Sequence, residues 1–191
     1  MEDDALEPTA DEAAGLPAGF FHEPASARKH YVEGLTNRRE RPVTGTEAWR
    51  TMFENGDPAV IPALVAVVNL DPDPVVRRRA LFGLSRMSDR AAIEGLLPGL
   101  RASDRASRAH AIKGLGRLRA REALPDLVAQ LDDWYGCVMA AEALVAIRDE
   151  RALEPLRRAA EKGSPWRRRR LRGRAEELEG VLGPGVRAGD I

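Results

Sequence analysis

A spacing of about thirty residues, kept by two interleaved patterns, limits what this chain can fold into more than any other feature. Segments that open on an apolar pair and run on to leucine begin at Val60 ("VIPAL"), Ala92 ("AIEGL"), Ala123 ("ALPDL") and Ala152 ("ALEPL"), so their starts lie 32, 31 and 29 residues apart. Between them a second set begins at Ala80 ("ALFGL"), Ala111 ("AIKGL") and Ala140 ("AAEAL"), at separations of 31 and 29. Two patterns sharing one period imply a tandem array of one small unit.

The unit is helical. Val60, Ile61, Leu64, Val67 and Val68 recur at the spacing that puts them on one helix face, and Ala92, Ile93, Leu96, Gly99 and Leu100 repeat it, as do Ala123, Leu124, Leu127 and Leu131. The second set begins with capping residues. Asp73-Pro74 and Ser164-Pro165 set a side-chain oxygen before a proline at the first helical position, and Asp104 and Asp133 occupy the matching places between them. This spacing predicts A helices near 74–87, 105–118, 134–147 and 165–182, and B helices near 58–69, 90–101, 121–132 and 150–162. A further helix near 46–55 is expected to pair with the first B helix, and a short one near 26–35 to cap that end. No segment alternates as a strand would. One helix pair cannot hide its apolar stripe alone, so the units are expected to stack into an all-α, right-handed α-solenoid of about four to five pairs.

Residues 1–26 are acidic, rich in Ala, Gly and Pro, and without period; they read as a disordered tail, with 27–182 as the repeat domain and 183–191 as a flexible C-terminal tail. The chain's thirty basic and thirty acidic residues cancel, but residues 1–27 hold seven acidic side chains and no Lys or Arg, which leaves 28–191 net positive by seven. A single cysteine, Cys137, excludes an internal disulfide framework and suits a reducing compartment. The start "MEDDALEP" has neither the basic nor the apolar part of a signal peptide, and the longest apolar run, Ala59 to Leu70, is too short to span a bilayer. The expected setting is cytoplasmic, without a membrane partner. Twenty-seven arginines to three lysines suggest a bacterial, high-GC origin.

The stretches "DPDPVVRRRALFGLSRMSDRAAIEGLLPGL" and "SDRASRAHAIKGLGRLRAREALPDLVAQL" resemble the HEAT-repeat family, and more closely its short bacterial branch related to phycobilin-lyase-type repeats. The resemblance covers about residues 45–180. It implies the solenoid fold, with the B helices lining the concave side. It also implies an arginine one turn into each A helix near the capping residue; Arg77, Arg108 and Arg168 match, while Cys137 stands there in the third repeat and leaves Asp133 without its expected partner. For function the resemblance spans scaffolds, adaptors and a few enzymes.

"SPWRRRRLRGR" packs six arginines into eleven residues. Leu171, Ala175, Leu178 and Leu182 should face inward, with Arg168 structural and Arg169, Arg170 and Arg172 in water. These three are the candidates for binding an anion or the chain's own acidic tail, against the plainer reading of a solvated end. A second basic set lies in the turns between A and B helices: Arg86, Arg90, Arg117, Arg119, Arg121, Arg148 and Arg151. Asp89, Glu122, Asp149 and Glu150 interleave with it, and a structural role is the favoured reading. The helix "AVIPALVAVVNL" is apolar nearly all round, and Tyr31 and Val32 are expected to help cover it.

Opposite the buried stripe of the B helices lie Pro62, Ala66 and Asn69; Glu94, Pro98 and Arg101; Pro125, Ala129 and Asp132; Glu154, Arg158 and Glu161. A nucleic-acid groove should be predominantly positive, and this one mixes signs. The expected function is therefore a non-catalytic interaction module that holds a protein or peptide through Glu94, Arg101, Asp126, Asp132, Glu154 and Arg158, with Trp134 at the edge. The alternatives are nucleic-acid binding along the arginine edge, resembling the HEAT-like DNA glycosylases, with Trp134 or Trp166 stacking on a base, and a lyase or cofactor-chaperone role. His22, His30 and His110 have no partner at metal spacing, neither a phosphate loop nor a nucleophile elbow occurs, and Cys137 reads as a packed side chain. No cofactor or metal is expected.

Overall fold

The computed structural model describes residues 15–17, 19–36 and 58–183. All regular structure among them is helical. Nine α-helices follow in order: α1 (Ala25–Thr36), α2 (Ile61–Leu70), α3 (Pro74–Leu84), α4 (Ala92–Leu96), α5 (Arg105–Arg117), α6 (Leu124–Ala129), α7 (Cys137–Ile147), α8 (Leu153–Ala160) and α9 (Pro165–Leu182). Short 3-10 turns extend the second helix of each pair, at Pro58–Val60, Pro98–Arg101, Arg121–Ala123, Gln130–Asp132 and Glu150–Ala152.

The A helices α3, α5, α7 and α9 form one layer, each packed on the next, and the B helices lie beside them. Leu64, Leu96, Leu127 and Leu156 are fully buried in one continuous core, as the stripe predicts. Burying each such leucine contributes about 1.5–3 kcal/mol, which is why the stripe dictates the stack. The layers approach closely where side chains are small. A Cβ on Gly116 of α5 would stand 2.8 Å from Cα of Ala143 in α7, so that crossing needs glycine.

Three A helices start where their caps place them: Asp73 accepts from the Val75 amide at 2.7 Å, Asp104 from Ser107 at 3.0 Å and Ser164 from Arg167 at 3.3 Å. The third starts late. Asp133 accepts from the amides of Tyr135 and Gly136 at 3.3 and 3.2 Å, forming a turn that keeps Trp134 and Tyr135 outside the helix, so α7 begins at Cys137 rather than near 134. Nor is Asp133 without a partner, because Arg108 of the preceding repeat reaches it at 3.3 Å. The second B helix breaks for a different reason. Pro98 has no amide hydrogen to donate, and past Leu96 the chain continues as a 3-10 turn.

α1 occupies the place that an A helix of a preceding repeat would hold, against α3. Tyr31 and Val32 are buried there, and Phe20 meets the Tyr31 ring edge-on at 5.4 Å. Leu16 and Phe20 also join the core, although the acidic composition around them reads as tail. A buried ion pair fastens this end: Arg28 donates to both carboxylate oxygens of Asp71 at 2.7 and 3.1 Å and to the Glu23 carbonyl, with side chains 7% and 0% exposed. At the end of α2, Leu70 is 53% exposed. The expected helix at 46–55, with Trp49, lies outside the described residues.

Candidate interaction surface

The B helices turn their stripe inward, so the residues opposite it face out. Glu94, Arg101, Asp132, Glu154 and Arg158 are all exposed, and Asp126 is half-buried. The stack brings several together. Arg101 meets Asp126 of the next repeat at 2.9 Å, Lys162 meets Asp132 of the repeat before at 3.9 Å, and Glu154 and Arg158 stand 3.8 Å apart along one helix. Glu94 makes no ion pair among the described residues. Two hollows open between repeats on this side. One of about 190 Å³ lies between Val68, Pro98 and Arg101 of the B side and Pro74, Arg77 and Asp104 at the starts of the A helices, and one of about 220 Å³ has Val128, Pro155, Asp132 and Arg158. Walls that mix apolar side chains with charges of both signs suit peptide side chains better than a run of phosphates.

At the cap edge of the A helices three aromatic rings face solvent: Trp134, Tyr135 and Trp166, exposed by 65%, 54% and 59%. The Arg105 guanidinium covers the Tyr135 ring at 3.5 Å, and Arg170 lies 6.0 Å from that of Trp166. Arg169, Arg170 and Arg172 are exposed, as the helical phase requires.

The structural arginine of the last repeat is Arg167, not Arg168. Arg77 donates to the carbonyls of Asp71 and Pro72, and Arg108 to those of Ala102 and Ser103, each four residues past its cap. In the last repeat the connection is one residue longer and turns through Gly163 at φ 85°, which places the carbonyls under the third position instead. Arg167 is buried there and donates to Ala159, Lys162 and Leu131, while Arg168 is exposed.

The turn arginines divide into two groups. Arg90 meets Glu122 at 3.0 Å, and Asp149 receives Arg151 at 2.8 Å and Arg121 at 3.9 Å. The hydrogen bond from Arg151 holds the Asp149 carboxyl below the usual aspartate value of 3.8, against the opposing effect of burial. A carboxylate depressed in the folded state contributes stability that is complete above the ordinary value and is lost as pH falls through the lowered one. Asp149→Asn should thus cost about 1 kcal/mol in urea unfolding at pH 7. Near pH 3 the gap to the parent should have narrowed.

The family model for HEAT repeats matches twice, over residues 61–138 and 93–175. The chain belongs to the HEAT-repeat family. Among curated proteins none matches it. Each HEAT unit here is one α3–α4 type pair, and the charged walls described above fall between units. Family pattern alone would not have found Arg28 or Asp71, which lie 43 residues apart, one of them ahead of the repeats. Cys137 is buried in the HEAT stack, its sulfur 3.6 Å from the Trp134 carbonyl. His110 packs edge-on to Phe82 at 5.3 Å, and burial, with Lys113 and Arg78 nearby, pushes its pKa down. No helix among the described residues is long and apolar enough to cross a membrane.

Proposed function

We propose that this HEAT-repeat protein is a non-catalytic interaction module that holds a protein or peptide on its B-helix face. HEAT repeats commonly mediate protein–protein interaction. The observation that carries the reading is the pair of inter-repeat hollows, whose walls combine apolar side chains such as Val68, Val128 and Pro155 with Arg101, Asp132 and Arg158. Paired charges of both signs select a complementary partner and set its register, while the hollows take its apolar side chains. Glu94, Asp126 and Glu154 extend the same face, and Trp134 borders it in sequence.

Charge reversal at Glu94→Lys, Arg101→Glu and Arg158→Glu together is the test, with the parent and variant used to capture partners from the native host. Capture should fall at least about tenfold, equivalent to about 1.4 kcal/mol. The melting temperature should move by less than about 8 °C, because the two exposed ion pairs broken, Arg101–Asp126 and Glu154–Arg158, contribute at most about 1 kcal/mol each. Undiminished capture would reject this face as the site.

A further inference from the structure

At the other end of the A helices, away from the caps and the hollows, the turn arginines left without carboxylates form a strip. Arg86 lies over the Phe82 ring at 5.5 Å, and Arg117 donates to the Met87 carbonyl across the repeat boundary. Arg119 and Arg148 are exposed and have no ion pair among the described residues. Burial, with the neighbouring Arg86 charge as the smaller cause, weakens the hold of Arg117 on its proton. The strip borders a groove of about 410 Å³ with Arg117, Arg119 and Arg148 on one side and Val145, Ala146 and Val181 on its floor. Arg174 also lines it, but Glu142 and Glu177 neutralise that guanidinium at 2.9 and 2.5 Å.

Helix C-termini attract cations, and that alone would place arginines here. It does not explain their backbone. Arg119 and Arg148 both sit in the left-handed region, at φ 52° and 59°, at the ends of successive A helices. Glycine or asparagine is the low-energy choice at such a position. Two repeats in a row instead hold a long cation there, with its side chain unpaired over a groove.

We propose that this strip binds an extended acidic segment of a partner protein, with carboxylates on Arg119 and Arg148 and an apolar residue on the floor between them. The spacing fits. Packed helices lie about 8–10 Å apart, and an extended polyproline II segment, with three residues per turn, returns its side chains to the same face after about 9 Å. Guanidinium forks bind carboxylates in pairs of parallel hydrogen bonds. A nucleic acid fits less well, because Glu142 and Glu177 stand on the groove wall where its unbroken run of phosphates would pass. This site is independent of the B-helix face and can fail or hold without it.

The test is fluorescence anisotropy on the full chain, with a labelled peptide of about twelve residues carrying glutamate at every third position and leucine at its centre. Saturable binding that weakens with added salt is expected. Arg119→Gln with Arg148→Gln should weaken it at least tenfold. Arg105→Gln with Arg168→Gln removes the same charge from exposed positions at the cap edge and should change it less than twofold. The proposal is overturned if the peptide does not bind or if the two double variants weaken binding equally. It is overturned as well if a duplex DNA binds more tightly than the peptide in the same buffer. Tighter binding by a synthetic peptide of residues 1–14, which holds six acidic side chains and no basic one, would assign the strip to this chain's own segment instead.

Discussion

Asp71→Ala is expected to lower the unfolding free energy by about 3–5 kcal/mol, the largest effect of any single substitution proposed for this protein. The carboxylate is fully buried and receives two hydrogen bonds from Arg28 and one from the Asp73 amide at 2.8 Å. Its removal strands the Arg28 guanidinium at 7% exposure with only the Glu23 carbonyl for company. Arg28→Ala should cost a comparable amount by the opposite route, leaving a buried carboxylate with one backbone donor. The paired change Arg28→Met with Asp71→Leu separates the two parts of the effect. A buried ion pair replaced on both sides by apolar groups of similar volume is often neutral or better, so the double variant should regain most of the loss. Urea unfolding of the parent, both single variants and the double closes the cycle. A single variant that loses less than about 1 kcal/mol would show that α1 is held by Phe20, Tyr31 and Val32 without the ion pair.

That ion pair also marks where the sequence ceases to be readable. The period and the stripe were legible because each buried leucine must return to the same face at the same interval, and a stack has no other way to hide them. Legible for the same reason were the outward positions of Glu94, Arg101, Glu154 and Arg158, since they lie opposite that stripe. Their pairing was not. Arg101 finds Asp126 only after two units are set side by side, 25 residues apart in the chain. The late start of α7 was hidden because Asp133 caps a turn with the same chemistry that its counterparts use to cap a helix. Arg28 and Asp71 carry no period at all, and nothing local links them.

Arg167 shows how one added residue can move a structural role along the chain. Arg167→Met should destabilise the protein by about 3 kcal/mol, whereas Arg168→Met next to it should stay within about 0.5 kcal/mol of the parent. The buried guanidinium closes the carbonyl ends of two successive B helices, at Leu131 and at Ala159 and Lys162, where the helix dipoles favour a cation. Methionine keeps much of the apolar stem but offers no donor, so three carbonyls lose their partner at once. For a chain of this size the expected fall in melting temperature is about 6–12 °C for Arg167→Met and no more than about 2 °C for Arg168→Met. Gly163 is part of the same device: a Cβ there would stand 3.0 Å from Cδ of Arg167, on backbone at φ 85°. Gly163→Ala should therefore destabilise in the parent and do so less in an Arg167→Ala background, because alanine has no δ atom to crowd and only the backbone cost remains. Equal melting temperatures for the two methionine variants would return the role to Arg168, as the four-residue offset of the earlier repeats implies.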